Sequence, residues 1–192
     1  MPRLDAPSCL ETARLALAAP ASADAEGIFN RYASDTEVTR FVGWPRHRTI
    51  ADTEAFLTLS SSEWKRTGVG PYLIRTRGDG RLIGSTGLVA DANLDAMTGY
   101  VLASDAWGRG FATEALQAMV ELANRLRLPR LYAFCHPLHL ASQRVLDKCG
   151  FVRDPARHTP MEFPNIESGI RQDAFYYARV LIPDVGRDES AR

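Results

Sequence analysis

The stretch that most constrains the fold of this chain is the junction at residues 99–123, where a strand pattern runs directly into a helix pattern. GYVLA (99–103) is short and apolar, which is typical of a buried strand. ATEALQAMVELA (112–123) repeats apolar residues about every 3.6 positions, which predicts an amphipathic helix that ends before Pro129. Between the two lies WGRG (107–110), whose glycines indicate either a tight turn or a backbone that closely approaches a ligand.

A helix start that follows glycines is suited to bind an anion. The first amides of a helix lack intrahelical acceptors and carry the positive end of the helix dipole. Gly108 and Gly110 have no Cβ atoms, which leaves room for a phosphate or pyrophosphate on those amides. The P-loop pattern GxxxxGKS/T is absent, and a dinucleotide fingerprint would need glycine at Thr113. The glycines therefore indicate a phosphate site of another kind, or only a tight turn.

The rest of the chain predicts a mixture of strands and helices. Strand patterns occur at TARLALAAP (12–20), PYLIRT (71–76), RLIGSTGLVA (81–90), RLYAFC (130–135) and DAFYYARVLI (173–182). Helix patterns follow Ser22, run from Thr49 with Asp52 to near Gly68, and occupy 139–151 with Gly150 as a left-handed stop. This order predicts an α+β fold, with a mixed sheet and helices on both faces. We expect one domain at residues 1–183 and a disordered tail at 184–192.

Composition argues against several classes of partner. Lys+Arg and Asp+Glu are equal at 23 each, and no basic run occurs, so we predict no nucleic-acid binding. Cys9, Cys135 and Cys149 show neither metal-ligand spacing nor a disulfide framework, so no metal site is predicted. No segment approaches the roughly 20 apolar residues of a membrane span. We therefore expect a cytoplasmic protein with no membrane partner.

WGRGFATEA (107–115) is followed, one helix and one strand later, by HPLHLASQRVLDKCGF (136–151). Together these two motifs resemble the GNAT family of acetyl-CoA-dependent N-acetyltransferases. Within the family, the chain is most similar to the branch that includes the ribosomal-protein N-terminal acetyltransferases. TARLAL (12–17), IGSTGL (83–88) and GYVL (99–102) also match that branch in order and spacing. The resemblance implies a mostly antiparallel mixed sheet whose middle strands splay apart.

The resemblance also implies that acetyl-CoA is a cosubstrate. In relatives, the segment that matches 108–113 binds the coenzyme pyrophosphate through main-chain N–H groups. The predicted contacts are accordingly Gly108, Arg109, Gly110, Phe111, Ala112 and Thr113. The strand at 99–103 is expected to splay from 131–135, with the pantetheine arm in the gap, beside the main chain of Leu102 and Ala103.

This chain departs from the family pattern at two positions. Trp107 stands where the family usually has Gln or Arg, although Trp is common in this branch. His139 stands where the branch usually has an Asn that contacts the coenzyme arm, and a histidine supplies only part of that amide's hydrogen bonding. We predict His139 as a coenzyme contact, but the change keeps open a second function, a coenzyme-A-binding regulatory module without turnover. A nucleotide hydrolase is disfavoured because the P-loop lysine is missing.

The reaction implied by the resemblance is direct transfer of acetyl from a thioester to an amine. The amine must be deprotonated, the developing oxyanion needs donors, and the leaving thiolate needs a proton or a donor. Ser142 matches a family serine near the coenzyme sulfur, so we predict it as the catalytic residue and as a coenzyme contact; the alternative is a helix cap. The general base stays open among Asp91, Asp95, Glu63, Glu162 and a water chain.

The acceptor side is less specific in the sequence. In relatives it is built from the N-terminal helix–loop–helix and the last hairpin, which implicates region 158–171. The aromatic residues implicated are Phe41, Trp44, Tyr72 and Tyr100, which could line an amine channel or belong to the core. The expected acceptor is an amine-bearing small molecule or a peptide or protein N-terminus, and a homodimer is left open. The neutral chain makes a strongly cationic aminoglycoside a poorer candidate.

Three kinds of chemically active residue are assigned structural roles. His136 and His158 are isolated in the sequence, which favours structural or exposed positions. Cys135 and Cys149 lie in apolar surroundings typical of a core. Glu114 lies in the first turn of its helix, where a negative charge is stabilised by the helix dipole.

Overall fold

The computed structural model describes residues 3–181, which form one eight-stranded sheet with four α-helices. The strands are β1 (Cys9–Glu11), β2 (Leu15–Ala18), β3 (Pro71–Thr76), β4 (Leu82–Ala90), β5 (Ala96–Leu102), β6 (Arg130–Cys135), β7 (Val152–Glu162) and β8 (Arg171–Val180). The helices are α1 (Ala25–Ile28), α2 (Ile50–Thr67), α3 (Phe111–Arg125) and α4 (Leu140–Lys148). The predicted tail at 184–192 lies outside the described residues.

The sheet is antiparallel except for one pair of strands. Its order is β1-β2-β3-β4-β5-β6-β8-β7, and the β5–β6 pair is parallel. That pairing covers only Ala96 with Leu131 and Met97 with Tyr132, whereas β4 and β5 stay paired to the end of β5. The two middle strands therefore diverge towards their carboxyl ends, which confirms the predicted mixed sheet and its splayed centre.

Helices pack on both faces of the sheet, and neighbouring residues of one strand are buried in two different hydrophobic clusters. Ile74 of β3 is fully buried with α3 residues such as Leu116. Leu73, its neighbour, is buried instead with Ile28 of α1 and Leu57 of α2. Successive side chains of a strand point to opposite faces, so this alternation places α3 on one face and α1 and α2 on the other.

The longest helix begins and ends where the sequence predicts. Thr49 precedes α2, its side chain accepts from the Asp52 amide, and its own amide donates to Asp52 Oδ2 at 2.8 Å. Gly68 follows α2 with a φ of 76°, the left-handed conformation that favours glycine. In residues 3–181 no helix combines the length and apolarity needed to cross a membrane.

Two strands and one helix differ from the sequence-based prediction. β1 was not predicted because it has only three residues. β7 was not predicted because its side chains are mostly exposed and it contains Pro155 and Pro160, which suit an edge strand with an irregular register. The helix after Ser22 is a 3₁₀ turn, then the short α1, then a π-helical turn at Phe29–Ala33.

Candidate active site

The turn before α3 requires both of its glycines. Gly108 has a φ of 71° and Gly110 a φ of 80°, and L-residues rarely adopt such values. A Cβ added at Gly108 would meet nothing within 4 Å, so this side of the turn is open. The glycines therefore make the tight turn and also leave the space that an anion needs.

The amides that follow the turn begin the helix without a side-chain cap. Gly110 is the N-cap of α3 and makes no side-chain cap bond. The Glu114 amide donates to the Gly110 carbonyl at 3.1 Å, so the amides of residues 111–113 precede the first helical hydrogen bond. Phe111 is only 4% exposed, so a ligand at this turn reaches its main chain and not its ring. This geometry suits a diphosphate held by backbone N–H groups.

A hydrogen-bonded bridge connects the start of β2 to this turn. Glu114 Oε1 accepts from Thr12 Oγ1 at 2.6 Å, and Glu114 Oε2 accepts from Arg14 Nε at 2.6 Å. Arg14 Nη1 also donates to the Arg109 carbonyl at 2.9 Å. Burial opposes ionisation of Glu114, but the bonds from Thr12 and Arg14 outweigh it and lower the pKa of the carboxyl group. We call Thr12, Arg14 and Glu114 the turn bridge.

The main-chain groups at the end of β5 are partly occupied. The Ala103 amide donates to the Ile83 carbonyl at 2.8 Å. It is therefore not available to a ligand, although the sequence predicted the Ala103 main chain as a partner of the coenzyme arm. Hydrogen-bonding directions alternate along an antiparallel pair, so Leu102 directs its main-chain groups away from β4 and into the gap beside β6. The Trp107 indole donates to the Leu102 carbonyl at 2.7 Å. The Leu102 amide is therefore the better placed of the two predicted main-chain partners.

Ser142 and Tyr100, predicted for different parts of the site, are hydrogen-bonded to each other. The Tyr100 hydroxyl lies 2.9 Å from Ser142 Oγ and 3.1 Å from the Ser142 carbonyl oxygen. Tyr100 lies on β5 and Ser142 in the first turn of α4, so the pair bridges the gap between the splayed strands. Burial raises the pKa of Tyr100 strongly, which keeps the phenol protonated at neutral pH. Ser142 is not the N-cap of α4, a position that His139 occupies.

An aromatic cluster lies next to this pair. The Phe41 ring centroid is 4.8 Å from that of His139 and 4.9 Å from that of His136. His136 in turn contacts the buried Phe163 at 4.7 Å. Burial, and then the neighbouring His136, lower the pKa of His139. The cluster places Phe41, in the loop before α2, against His139, the residue that precedes α4.

The two regions predicted for the acceptor side are in direct contact. Asn165, in the connection between β7 and β8, donates from Nδ2 to the carbonyls of Thr39 at 2.7 Å and Trp44 at 2.9 Å. Its Oδ1 accepts from the Arg46 amide at 2.7 Å. A cavity of about 370 Å³ lies there, lined among others by Thr36, Arg46, Arg48, Glu162, Asn165 and Ser168. Half-buried Trp44 is thus hydrogen-bonded, through its carbonyl, to a residue of region 158–171.

Tyr72 requires a correction, since it belongs to the core. It is 0% exposed, its hydroxyl donates to the Pro7 carbonyl at 2.6 Å, and its ring contacts Trp64 edge to face at 5.1 Å. The side chain therefore fills the sheet face under α3 and does not line a channel. The alternative left open for these aromatics, ordinary core, applies to Tyr72.

All four acidic side chains considered as general bases have structural partners. Glu63 pairs with Arg66 on the exposed side of α2. Asp91 accepts from amides in the turn between β4 and β5, and Asp95 lies 3.6 Å from Arg130 in an ion pair. Glu162 accepts from the Gly169 amide. None of these carboxylates is bonded to Tyr100 or Ser142 in the part of the chain that the structure describes.

Two residues of the site were not singled out from the sequence. Arg14 lies in the TARLAL stretch, so the resemblance could have identified it, but only the strand pattern was used. Asn165 stands in a polar segment with no local pattern, and its partners lie more than a hundred residues away in the chain. No signal in the sequence distinguishes it from other loop asparagines.

Comparisons with known proteins identify the family of this chain. The family model described as an acetyltransferase (GNAT) domain matches residues 14–152. The Bacillus subtilis protein named uncharacterized N-acetyltransferase YoaA is 32% identical over 149 residues, which cover 76% of this chain and 83% of that protein.

Solved structures show the same fold. The microcin C7 self-immunity acetyltransferase MccE, in complex with acetyl-CoA and AMP, has a TM-score of 0.79 at 21% identity, covering 91% of this chain and 97% of that one. The ribosomal-protein acetyltransferase RimL, in complex with coenzyme A, has a TM-score of 0.77 at 19% identity, covering 90% and 98%. These likenesses show the fold, and the family model together with YoaA establishes that this chain is an acyltransferase and belongs to the GNAT acetyltransferase family.

Proposed function

We propose that this protein transfers acetyl from acetyl-CoA directly to a primary amine, either a peptide or protein N-terminus or a small-molecule amine. The observation that carries the proposal is the hydrogen bond between Tyr100 and Ser142, which joins the two sides of the gap between β5 and β6. Acetyl-CoA and coenzyme A are present in the MccE and RimL structures, which supports acetyl-CoA as the donor.

The start of α3 is the proposed site of the coenzyme diphosphate. The amides of residues 111–113 precede the first helical hydrogen bond, and the glycines leave an open face beside them. The turn bridge fixes this segment through the Arg109 carbonyl. From there the arm would run along the gap past the Leu102 amide towards Tyr100 and Ser142.

Ser142 and Tyr100 are the proposed proton donors at the end of the gap. Acetyl-CoA supplies the reactive thioester, and the residues need only position it and stabilise the sulfur as it leaves. A thiolate with a pKa of about 8.5, by analogy with cysteine, gains from a hydroxyl donor. The phenol of Tyr100 stays protonated and donates to the Ser142 carbonyl, and its oxygen lies 2.9 Å from Ser142 Oγ, so Tyr100 positions the serine hydroxyl.

The acceptor amine is proposed to enter between the loop before α2 and the β7–β8 connection. Asn165 joins these segments, and Phe41 and Trp44 supply half-buried aromatic surface there. The name of RimL as an α-N-protein acetyltransferase of a ribosomal protein supports a protein N-terminus as one acceptor class. The complex of MccE supports small molecules as another.

Two measurements test this function. Acetyl-CoA at 100 times its dissociation constant should stabilise the folded protein by about 2.7 kcal/mol, which a thermal shift detects. Release of free thiol is then followed with a panel of peptides that begin with serine or alanine, polyamines and free amino acids. Turnover with a panel member supports the transferase. A thermal shift with acetyl-CoA but no turnover favours the coenzyme-binding module. A thermal shift with ATP or NAD but not with acetyl-CoA rejects both the transferase and the module.

A further inference from the structure

Two histidines contact the same aromatic ring but differ in what their nitrogens do. His136 uses both, because the Leu138 amide donates to Nδ1 at 3.1 Å and Nε2 lies 3.1 Å from Gln172 Oε1. His139 also contacts Phe41, at 4.8 Å between ring centroids. In the part of the chain that the structure describes, neither of its ring nitrogens has a hydrogen-bond partner. His139 therefore has a nitrogen available to bind something other than this fold.

His139 also lies between the two halves of the site. It immediately precedes α4, and Ser142 follows three residues later, so both lie on the same side of the first turn. Phe41, which stacks on the imidazole, belongs to the loop before α2 on the acceptor side. An imidazole here borders Ser142 on one side and the loop proposed to receive the amine on the other.

We propose that His139 is the general base that removes a proton from the acceptor amine. This inference rests on the proposed function, since it assigns a role within that reaction. It also gives a reason for a histidine where the family usually has an asparagine, because an amide cannot take up a proton at neutral pH.

The electrostatic surroundings keep the imidazole neutral, as a base requires. Burial and the neighbouring His136 lower the pKa of His139 below its ordinary value. Within residues 3–181, the other titratable or charged groups that approach this cluster include Cys135, whose Sγ lies 3.8 Å from the His139 carbonyl, and Arg40, whose guanidinium lies 5.1 Å from the Phe41 ring centroid. None of these groups is a carboxylate that would stabilise the protonated imidazole.

The protons and bonds of the reaction balance with His139 in this role. An ammonium acceptor loses one proton to the free imidazole nitrogen, and the resulting amine attacks the thioester carbon. The C–N bond forms, the C–S bond breaks, and the second nitrogen proton replaces the acetyl group on sulfur by way of Ser142. His139 then returns its proton to solvent. The products are the acetylated amine, the free thiol and one proton.

The substitution His139→Asn tests the role, because it installs the residue that the branch usually has there. A coenzyme contact would survive this change, whereas a base would not. The probe is acetyl-CoA with a serine- or alanine-initiated peptide, or with the panel amine of highest turnover. We expect the wild-type kcat/KM to be nearly flat between pH 6.5 and 8 because the enzyme deprotonates the bound ammonium.

In His139→Asn only the free amine reacts, so kcat/KM should rise about tenfold per pH unit up to the peptide amine pKa of about 8. The kcat/KM of His139→Asn should be roughly 30-fold below that of wild type at pH 6.5 and nearly equal to it at pH 9. The acetyl-CoA dissociation constant should stay within twofold of wild type. In His139→Ala, added imidazole should restore part of the turnover at pH 7.

Two results would overturn the inference while leaving the proposed function intact. One is a His139→Asn profile that parallels wild type at every pH. The other is weakened acetyl-CoA binding with unchanged kcat in His139→Ala, which would make His139 a coenzyme contact. If the wild-type protein releases no thiol with any panel member, the proposed function itself is rejected, and the base assignment with it.

Discussion

The hydroxyl of Tyr100 on β5 lies 2.9 Å from Oγ of Ser142 on α4, and this single contact spans the gap that the splayed strands leave open. Tyr100 lies on β5, and Ser142 lies on the helix that follows β6. Their contact makes the serine hydroxyl part of a short chain of hydroxyl groups, which is the arrangement needed to pass a proton to a leaving group.

Ser142→Ala should lower kcat about 100-fold and change the KM for acetyl-CoA by less than about threefold, because the lost hydroxyl acts on the leaving sulfur. Tyr100→Phe should lower kcat less, about tenfold, since it removes only the orienting bond. Steady-state thiol release measures both. Ser62→Ala is the matched control: Ser62 is exposed on α2 and donates to the Thr58 carbonyl of its own helix. Unchanged turnover in Ser142→Ala would leave the serine with a structural role.

Gly110→Val should weaken acetyl-CoA binding at least about tenfold, or about 1.4 kcal/mol. Its φ of 80° is strained for valine, by about 1–2 kcal/mol, and the added side chain borders the amides proposed for the diphosphate. Isothermal titration measures the affinity and urea denaturation the stability.

The strain and the loss of affinity can be separated with a second glycine. Gly80 has a φ of 67°, has open space around its Cβ position, and lies in the turn between β3 and β4. Gly80→Val should lose similar stability and bind acetyl-CoA normally. Retained affinity in Gly110→Val would move the diphosphate away from this turn.

Glu114→Gln should lower the free energy of unfolding by about 2 kcal/mol at pH 7, since the carboxylate accepts charge-assisted bonds from Thr12 and Arg14. The folded pKa of Glu114 is lowered, so its contribution is complete above the unfolded value of about 4.3 and is lost as pH falls through the folded value. Urea denaturation between pH 7 and 3 should show that the difference in free energy of unfolding between wild type and Glu114→Gln is constant at higher pH and shrinks only below about pH 4.

Glu121→Gln on the exposed side of the same helix is the control for this charge. It removes an identical carboxylate from α3 without touching the turn bridge, so its stability should stay within about 0.5 kcal/mol of wild type. If Glu114→Gln and Glu121→Gln lowered the free energy of unfolding equally, the effect would come from the net charge of α3 and not from the turn bridge.

Local patterns in the sequence were enough for most of the fold, including the turn before α3. The ends of α2 were predictable because Thr49, Asp52 and Gly68 act on their own neighbours. The turn before α3 was predictable for the same reason, since its glycines and its amides are consecutive in the chain. β7 was not, because an exposed edge strand has little apolar alternation to reveal it.

The acceptor side depends on contacts between distant residues, which local patterns do not encode. Tyr72 and Tyr100 are both tyrosines on neighbouring regions of one sheet, yet one donates to Pro7 inside the core and the other to Ser142 in the gap. The two tyrosines lie on the same face of the sheet, because Tyr72 and Tyr100 both pair with Thr86, so which of them reaches the site depends on what packs around each. The bonds from Asn165 to the Thr39 and Trp44 carbonyls are likewise visible only once the chain has folded.

Asn165→Ala should raise the KM for the acceptor amine about tenfold and leave the KM for acetyl-CoA unchanged, because Asn165 holds the loop before α2 against the β7–β8 connection through three bonds at 2.7, 2.9 and 2.7 Å. Initial rates with each substrate varied in turn measure the two constants. Asn93→Ala, in the exposed turn between β4 and β5, is the matched control and should leave both unchanged. A rise in the acetyl-CoA KM alone would place the acceptor elsewhere, because these loops would then act only through the coenzyme.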